Sequence, residues 1–270
     1  MSCYNESIDY FRLAVDSILS QTYDNFELII ILDNVNNDLL LNEILNYSKK
    51  DNRIVFLKNK KNRGLSYSLN KGIKIAKGNY IARMDADDIS VSNRFEKQLN
   101  FIIKQEADLV FTWVKYIDEK NILKDKFMPE RNKVKKIKNN FFKEHLLVHP
   151  TLLCKASVLK ENLYDETQLR SQDFELWIRL IIKNYKFELL ESFLLDYRIL
   201  DETNYDKRVN KVKNSYFYGL KALKKNKFVA TEMDGFSSIY YNFMFMNSMF
   251  KVFPKRFIKS LVLIKDILKK

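Results

Sequence analysis

The sequence predicts an α/β fold, a mostly parallel sheet flanked by helices and followed by a helical, basic C-terminal extension. Short apolar runs of strand length recur in the first third: "FELIIILD" at 26–33, "RIVFL" at 53–57 and "NYIARM" at 79–84. Helical spacing fills the segments between them, and that alternation argues for a parallel sheet covered on both faces. The charge is also uneven, because residues 205–270 carry 15 Lys/Arg against 4 Asp/Glu and so hold +11 of the net +13.

In order, residues 7–21 place Phe11, Val15, Ile18 and Leu19 on one helical stripe, with Ser7 as N-cap. Strand 26–33, helix 38–49, strand 53–57, helix 65–76 and strand 79–84 follow, then a helix over 91–105 and a strand near 107–117. The second half is less regular. The spacing predicts a basic helix over 132–145, a strand over 146–154, a helix over 172–184 and strands at 186–191 and 193–199. Phe174 and Trp177 read as core residues of the 172–184 helix, and Lys133 to Lys138 as a solvated helix face. From 205 onward three helical segments are expected, giving domains 1–204 and 205–270.

Composition narrows the function classes. Hydrophobic residues make up 46% of the 270, which is globular rather than disordered. Two cysteines, Cys3 and Cys154, make neither a disulfide framework nor a metal centre with two histidines, and a reducing, cytoplasmic setting follows. The start "MSCYNES" has no signal-peptide character. A basic tail meets an anionic surface, a membrane before a nucleic acid.

The densest chemical signal is "MDADD", where Asp85, Asp87 and Asp88 close a strand. A polar loop is the plain alternative. An EF-hand fits by spacing at Asp85, Asp87, Asn93 and Glu96, but Ser90 stands where glycine is needed and a strand precedes the loop. In an open α/β sheet, ligands bind at the carboxyl ends of strands, where Asp33 and the Asp85/Asp87 pair both fall. Hard carboxylates there suit magnesium or manganese holding a diphosphate. With no phosphate-cradling glycine loop, a nucleotide sugar fits better than ATP.

The chain resembles the family 2 glycosyltransferases of the GT-A fold, on "MSCYNE" at 1–6, "SILSQTYDNFELIIILD" at 17–33, "NRGLSYSLNKGIKIAKGNYIARMDADD" at 62–88, "RFEKQ" at 94–98, "HPTLLCKASVL" at 149–159, "QDFELWIRL" at 172–180 and "LLDYR" at 194–198. The resemblance implies that Asp33 accepts a hydrogen bond from the nucleotide base, with Tyr4 and Glu6 flanking that pocket. Asp85 and Asp87 correspond to the DXD motif, Asp87 as the direct metal ligand and Asp85 toward ribose or sugar. Arg83 and Asp88 support the site, His149 is a candidate for the sugar and acceptor region, and Asp173 corresponds to the catalytic base. An inverting transfer would need that carboxylate for the acceptor hydroxyl and a cation on the departing diphosphate.

The chain departs from the family pattern at several places. The first strand is truncated, Asn34 replaces an acidic residue, "VN" at 35–36 replaces "GS", Gln172 stands for Glu, and Ile199 and Leu200 follow "YR" without the usual histidine. The expectation is a cytoplasmic, metal-dependent enzyme using a UDP-sugar to extend a glycan or lipid-linked acceptor in surface polysaccharide synthesis. Its tail would lie on the inner membrane face or pack as a cap on the catalytic domain; no nucleic-acid partner is expected. A degenerate binding domain is the non-enzyme alternative, and a sugar nucleotidyltransferase the other enzyme class.

Overall fold

A computed structural model describes residues 1–141, 145–200, 217–219, 221–222 and 225–226. The chain divides into two compact units, Met1–Leu200 and Asp201–Lys270. The helices expected beyond 205 lie outside the described residues, apart from helical residues at 217–219, 221–222 and 225. Among the described residues no helix is long and apolar enough to cross a membrane.

Strand β1 (Ser2–Cys3), helix α1 (Ile8–Leu19), β2 (Leu28–Leu32), α2 (Asp38–Lys50), β3 (Ile54–Lys58) and α3 (Leu65–Ile75) open the first unit. Ser7 caps α1 by accepting from the Tyr10 N–H at 3.2 Å, and Asn37 caps α2 by accepting from the Leu40 N–H at 3.0 Å. The three strands form a parallel sheet in the order β1-β2-β3. Strand β1 pairs through two residues, Ser2 opposite Ile31 and Cys3 opposite Leu32.

The chain then makes β4 (Tyr80–Ala82), β5 (Ile89–Ser90), α4 (Arg94–Lys104), β6 (Leu109–Ile117), β7 (Leu123–Phe127), α5 (Arg131–Lys135) and α6 (Ile137–Asn140). It ends the unit with β8 (Leu153–Lys155), α7 (Ala156–Glu161), α8 (Gln172–Ile182) and β9 (Phe187–Arg198). These strands form a mixed sheet in the order β4-β8-β6-β9-β5, with β7 paired to β6; β6 and β9 run parallel.

Several expectations change in detail. The stretch 146–154 is a strand only from Leu153, because Pro150 sits in a 3-10 turn (His149–Thr151) and has no N–H to give a ladder. The basic helix breaks into α5 and α6 at Lys136. The two strands expected at 186–199 are one, β9, whose pairing with β6 shifts register around Trp113.

The core beneath the parallel sheet joins Cys3, Phe11, Val15, Ile30, Leu32 and Ile44, all fully buried. Under the mixed sheet, Phe111 meets Trp177 edge to face at 5.2 Å between ring centroids. Both cysteines are buried thiols. This packing brings the loops after β1, β2 and β4 to one end of the unit.

Candidate active site

The segment between β4 and β5 carries Asp85, Asp87 and Asp88, whose carboxylate oxygens lie within 4.8 Å of one another. Three carboxylates so close repel unless positive groups face them. Arg83, which is 7% exposed, supplies one such group. Its guanidinium forms a two-pronged ion pair with Asp85, Nη1 reaching Oδ2 at 2.7 Å and Nη2 reaching Oδ1. Arg94, fully buried on α4, holds Arg83 in turn by donating to its main-chain carbonyl at 2.8 Å.

Arg198, the last residue of β9, supplies the second. Its Nε donates to the Asp87 carbonyl at 2.8 Å, its Nη1 to the Asp118 carbonyl at 2.8 Å, and its main-chain N–H to Asp88 Oδ1 at 2.9 Å. The guanidinium lies 4.1 Å from the centroid of the Tyr10 ring. Asp88 is buried and its Oδ2 has no hydrogen-bond partner among the described residues. Burial, then the charge of Asp85, pushes the Asp88 carboxyl well above the usual range. The same causes in the same order raise the Asp87 carboxyl to about 6.

At the neighbouring strand ends, the Asp33 N–H donates to the Cys3 carbonyl at 2.8 Å, which sets Tyr4 beside Asp33. The Asp33 carboxylate is buried and accepts three hydrogen bonds: Asn59 Nδ2 at 2.7 Å, the Arg63 N–H at 2.8 Å and the Gly64 N–H at 2.7 Å. It therefore anchors the loop entering α3 as well as marking the strand end. Gly64 takes a φ of +82°, the left-handed region that glycine tolerates and most residues avoid. Tyr4 is 43% exposed, and Glu6 accepts from its N–H at 2.7 Å. Burial is the main cause of a raised Glu6 carboxyl, and the charges of Asp87 and Asp85 add to it. Glu6 thus lies within electrostatic range of the acidic cluster.

Asp173 lies in the first turn of α8, where its carboxylate accepts from the Phe174 N–H at 2.9 Å. A carboxylate is favoured at that positive helix end. Ser171, just before the helix, holds a left-handed φ of 51°. Buried Tyr164 lies within electrostatic range of both Asp173 and Asp85. Burial is the chief cause of its raised phenol pKa, and the charges of Arg83, Asp173 and Asp85 all act on it. Tyr164 Oη lies 2.7 Å from His149 Nε2. His149 is buried, packs edge-on against Trp177 at 5.8 Å, and is held neutral by burial and then by the charge of Arg83. It sits behind the site, inside the core.

Tyr164, Arg94 and Arg198 received no role from the sequence. Only "YR" at the end of β9 hinted at Arg198, since contact rather than spacing reveals the others. What the cluster can do chemically is concentrate hard oxygen donors beside two buried arginines, with a separate carboxylate at a helix start.

Comparison with known proteins gives the family and the fold. Residues 1–163 match the profile of Glycosyl transferase family 2. An uncharacterized glycosyltransferase of Methanocaldococcus jannaschii is 43% identical over 268 residues, 98% of this chain and 92% of that protein. The O-antigen biosynthesis glycosyltransferase WbnJ of Escherichia coli is 31% identical over 244 residues, 87% of this chain and 90% of its own. Among solved structures, S. aureus TarS 1–349 in complex with UDP-GlcNAc superposes with a TM-score of 0.64 at 15% identity, over 93% of this chain and 71% of that one. The mannosyltransferase PcManGT of Pyrobaculum calidifontis, in complex with GDP-Man and Mn2+, gives 0.61 at 12% identity, over 89% of this chain and 66% of its own. The fold is that of the GT-A glycosyltransferases.

Proposed function

The chain belongs to Glycosyl transferase family 2, and we propose that its domain 1–204 is a metal-dependent, inverting transferase using a UDP-sugar. The observation that carries this reading is the Asp85–Asp87–Asp88 cluster between β4 and β5, faced by Arg83 and Arg198. Complexes of structural neighbours with UDP-GlcNAc and with GDP-Man and Mn2+ support it.

The residues fit a hard divalent cation such as manganese or magnesium. All donors are carboxylate oxygens within 4.8 Å of one another. Asp87 would hold the cation, and Asp85 would join it while shared with Arg83. Bound there, the cation would offset the charge that develops on the departing diphosphate.

The chain's own residues do the remaining work. Asp33, Tyr4 and Glu6 frame the pocket for the nucleotide at the ends of β1 and β2. Arg83 fixes the orientation of Asp85, so that its outward edge meets the ribose or sugar. Asp173 takes the proton from the acceptor hydroxyl as that oxygen attacks the anomeric carbon and the bond to the diphosphate breaks. The sugar configuration inverts in that single displacement. His149, neutral and buried, acts by holding Tyr164 behind this face, and Asp88 by tying the acidic loop to β9.

A glycan or lipid-linked acceptor in surface polysaccharide synthesis fits the relationship to an O-antigen transferase. The +11 charge of residues 205–270 suits a cytoplasmic enzyme resting on an anionic membrane face. The test is UDP release from a panel of UDP-sugars with and without Mn2+. Metal-dependent release lost in Asp87→Ala and in Asp173→Ala supports the reading. Release unchanged in either variant overturns it.

A further inference from the structure

One face of the mixed sheet carries a row of rings beside the acidic loop. Tyr116 of β6 stands opposite Tyr197 of β9, and Phe127 of β7 stands opposite Val114, two residues before Tyr116. Strand side chains alternate between faces, so all three rings share one side of the sheet. Ring centroids lie 5.6 Å apart from Tyr197 to Tyr116, 6.5 Å from Tyr116 to Phe127 and 5.2 Å from Phe127 to His145. The first three rings are half-buried, and His145 is exposed.

The two ends of the row meet different parts of the candidate site. Tyr197 lies within electrostatic range of Asp85, Asp88 and Asp87. His145, at the other end, lies within electrostatic range of Asp173. Phe141, four residues before it, stacks on Phe174 at 5.2 Å between centroids, which sets this segment against the start of α8. The rings therefore run from the loop that would hold the departing diphosphate toward the carboxylate that would take the acceptor proton. In a single displacement the attacking hydroxyl must lie between those two groups.

The polar atoms along the row narrow what would lie there. Asp125 stands opposite Tyr116 across the ladder and within electrostatic range of its phenol. Neither the Tyr116 nor the Tyr197 hydroxyl has a hydrogen-bond partner among the described residues. A hydrocarbon chain laid on the row would cover these groups without pairing them, at a cost. A sugar presents C–H groups on its ring face and hydroxyls around its edge, so it matches rings and polar tips together.

On the transferase reading of Asp87 and Asp173, we propose that Phe127 and His145, continued by Tyr116 and Tyr197, form the acceptor subsite and seat a sugar ring. Phe127 packs against the ring face, and the His145 imidazole takes a hydroxyl at its edge, turning the neighbouring hydroxyl toward Asp173. The acceptor is then the terminal sugar of a glycan or of a lipid-linked saccharide, held by its ring and not by its lipid.

The test uses the full chain, a panel of UDP-sugars, and methyl glycosides of glucose, galactose, mannose and N-acetylglucosamine as acceptors. At least one glycoside is expected to accelerate UDP release. Phe127→Ala and His145→Ala should each raise the KM of that glycoside by about tenfold or more. UDP affinity in the presence of Mn2+, read by calorimetry, should stay within about twofold of the native chain in both. His145 is exposed, so its replacement decides the matter even where Phe127→Ala does not fold. An unchanged KM in His145→Ala, or a loss of UDP affinity along with it, would overturn the subsite. So would a native chain that binds UDP and is accelerated by no glycoside. A native chain that binds no UDP sinks the transferase reading itself, which keeps the two failures distinct.

Discussion

Arg198 Nε donates to the main-chain carbonyl of Asp87 at 2.8 Å, joining the last residue of β9 to the middle of the acidic loop 111 residues before it. The same side chain reaches the Asp118 carbonyl, and its main chain reaches Asp88. Arg198→Ala would leave the Asp87 carbonyl without this donor, at about 1–3 kcal/mol if it stays buried, while the Asp118 carbonyl keeps the Asn121 N–H. We expect a fall in stability of that order in urea unfolding and at least a tenfold weaker Mn2+ affinity by calorimetry. Arg198→Lys keeps the charge but loses the fork, and should restore neither in full.

Arg83 and Asp85 form the second constraint, with Arg83 the more deeply buried partner. Removing one member of a buried pair leaves a charge uncompensated, so Arg83→Met should cost about 2–4 kcal/mol. Combining it with Asp85→Asn should recover part of that loss. A double-mutant cycle by urea unfolding measures the coupling, and additive losses would speak against the pair's importance.

The acidic cluster gives stability a pH dependence whose sign is fixed. Asp87 is raised from 3.8 to about 6, burial being the first cause and Asp85 the second. The folded state keeps a proton that the unfolded chain has released, so stability without metal falls as pH rises from about 4 to about 6. Asp87→Asn should reduce that fall by on the order of 1–2 kcal/mol, allowing for solvent screening of a partly exposed group. Urea unfolding at pH 4.5 and 6.5 in EDTA checks it. Mn2+ affinity should weaken as pH falls below about 6, because the proton competes for Asp87.

His149 and Tyr164 lie behind the site, 2.7 Å apart. Tyr164→Phe leaves the buried His149 ring without that partner and should cost about 1–3 kcal/mol of stability. Metal affinity should stay within about twofold. A large loss of Mn2+ binding in this variant would move the pair into the site itself.

Much of the fold was legible because its first strands are continuous apolar runs. β2 and β3 fall within one or two residues of "FELIIILD" and "RIVFL". β7 is "LKDKF", mostly charged and exposed, and is a strand only because β6 offers it an edge. β5 has two residues and exists through its pairing with β9, so no window of sequence could reveal it. The site divides in the same way. Asp85, Asp87 and Asp88 announce themselves by spacing and by position after a strand. Arg94, Arg198 and Tyr164 matter through contacts made across more than ten to over a hundred residues of chain. Asp33 shows a mixed outcome, since its strand-end position was readable and its three loop donors were not.

The central claim separates the role of Asp87 from that of Asp173, and one paired measurement tests it. UDP binding by calorimetry, with and without Mn2+, is set beside UDP release from UDP-sugar donors for the native chain, Asp87→Asn and Asp173→Asn. The account predicts that Asp87→Asn loses Mn2+-dependent UDP binding. Asp173→Asn should keep it while release falls by about 100-fold or more. Metal-independent binding in the native chain, or full turnover in Asp173→Asn, would contradict the account.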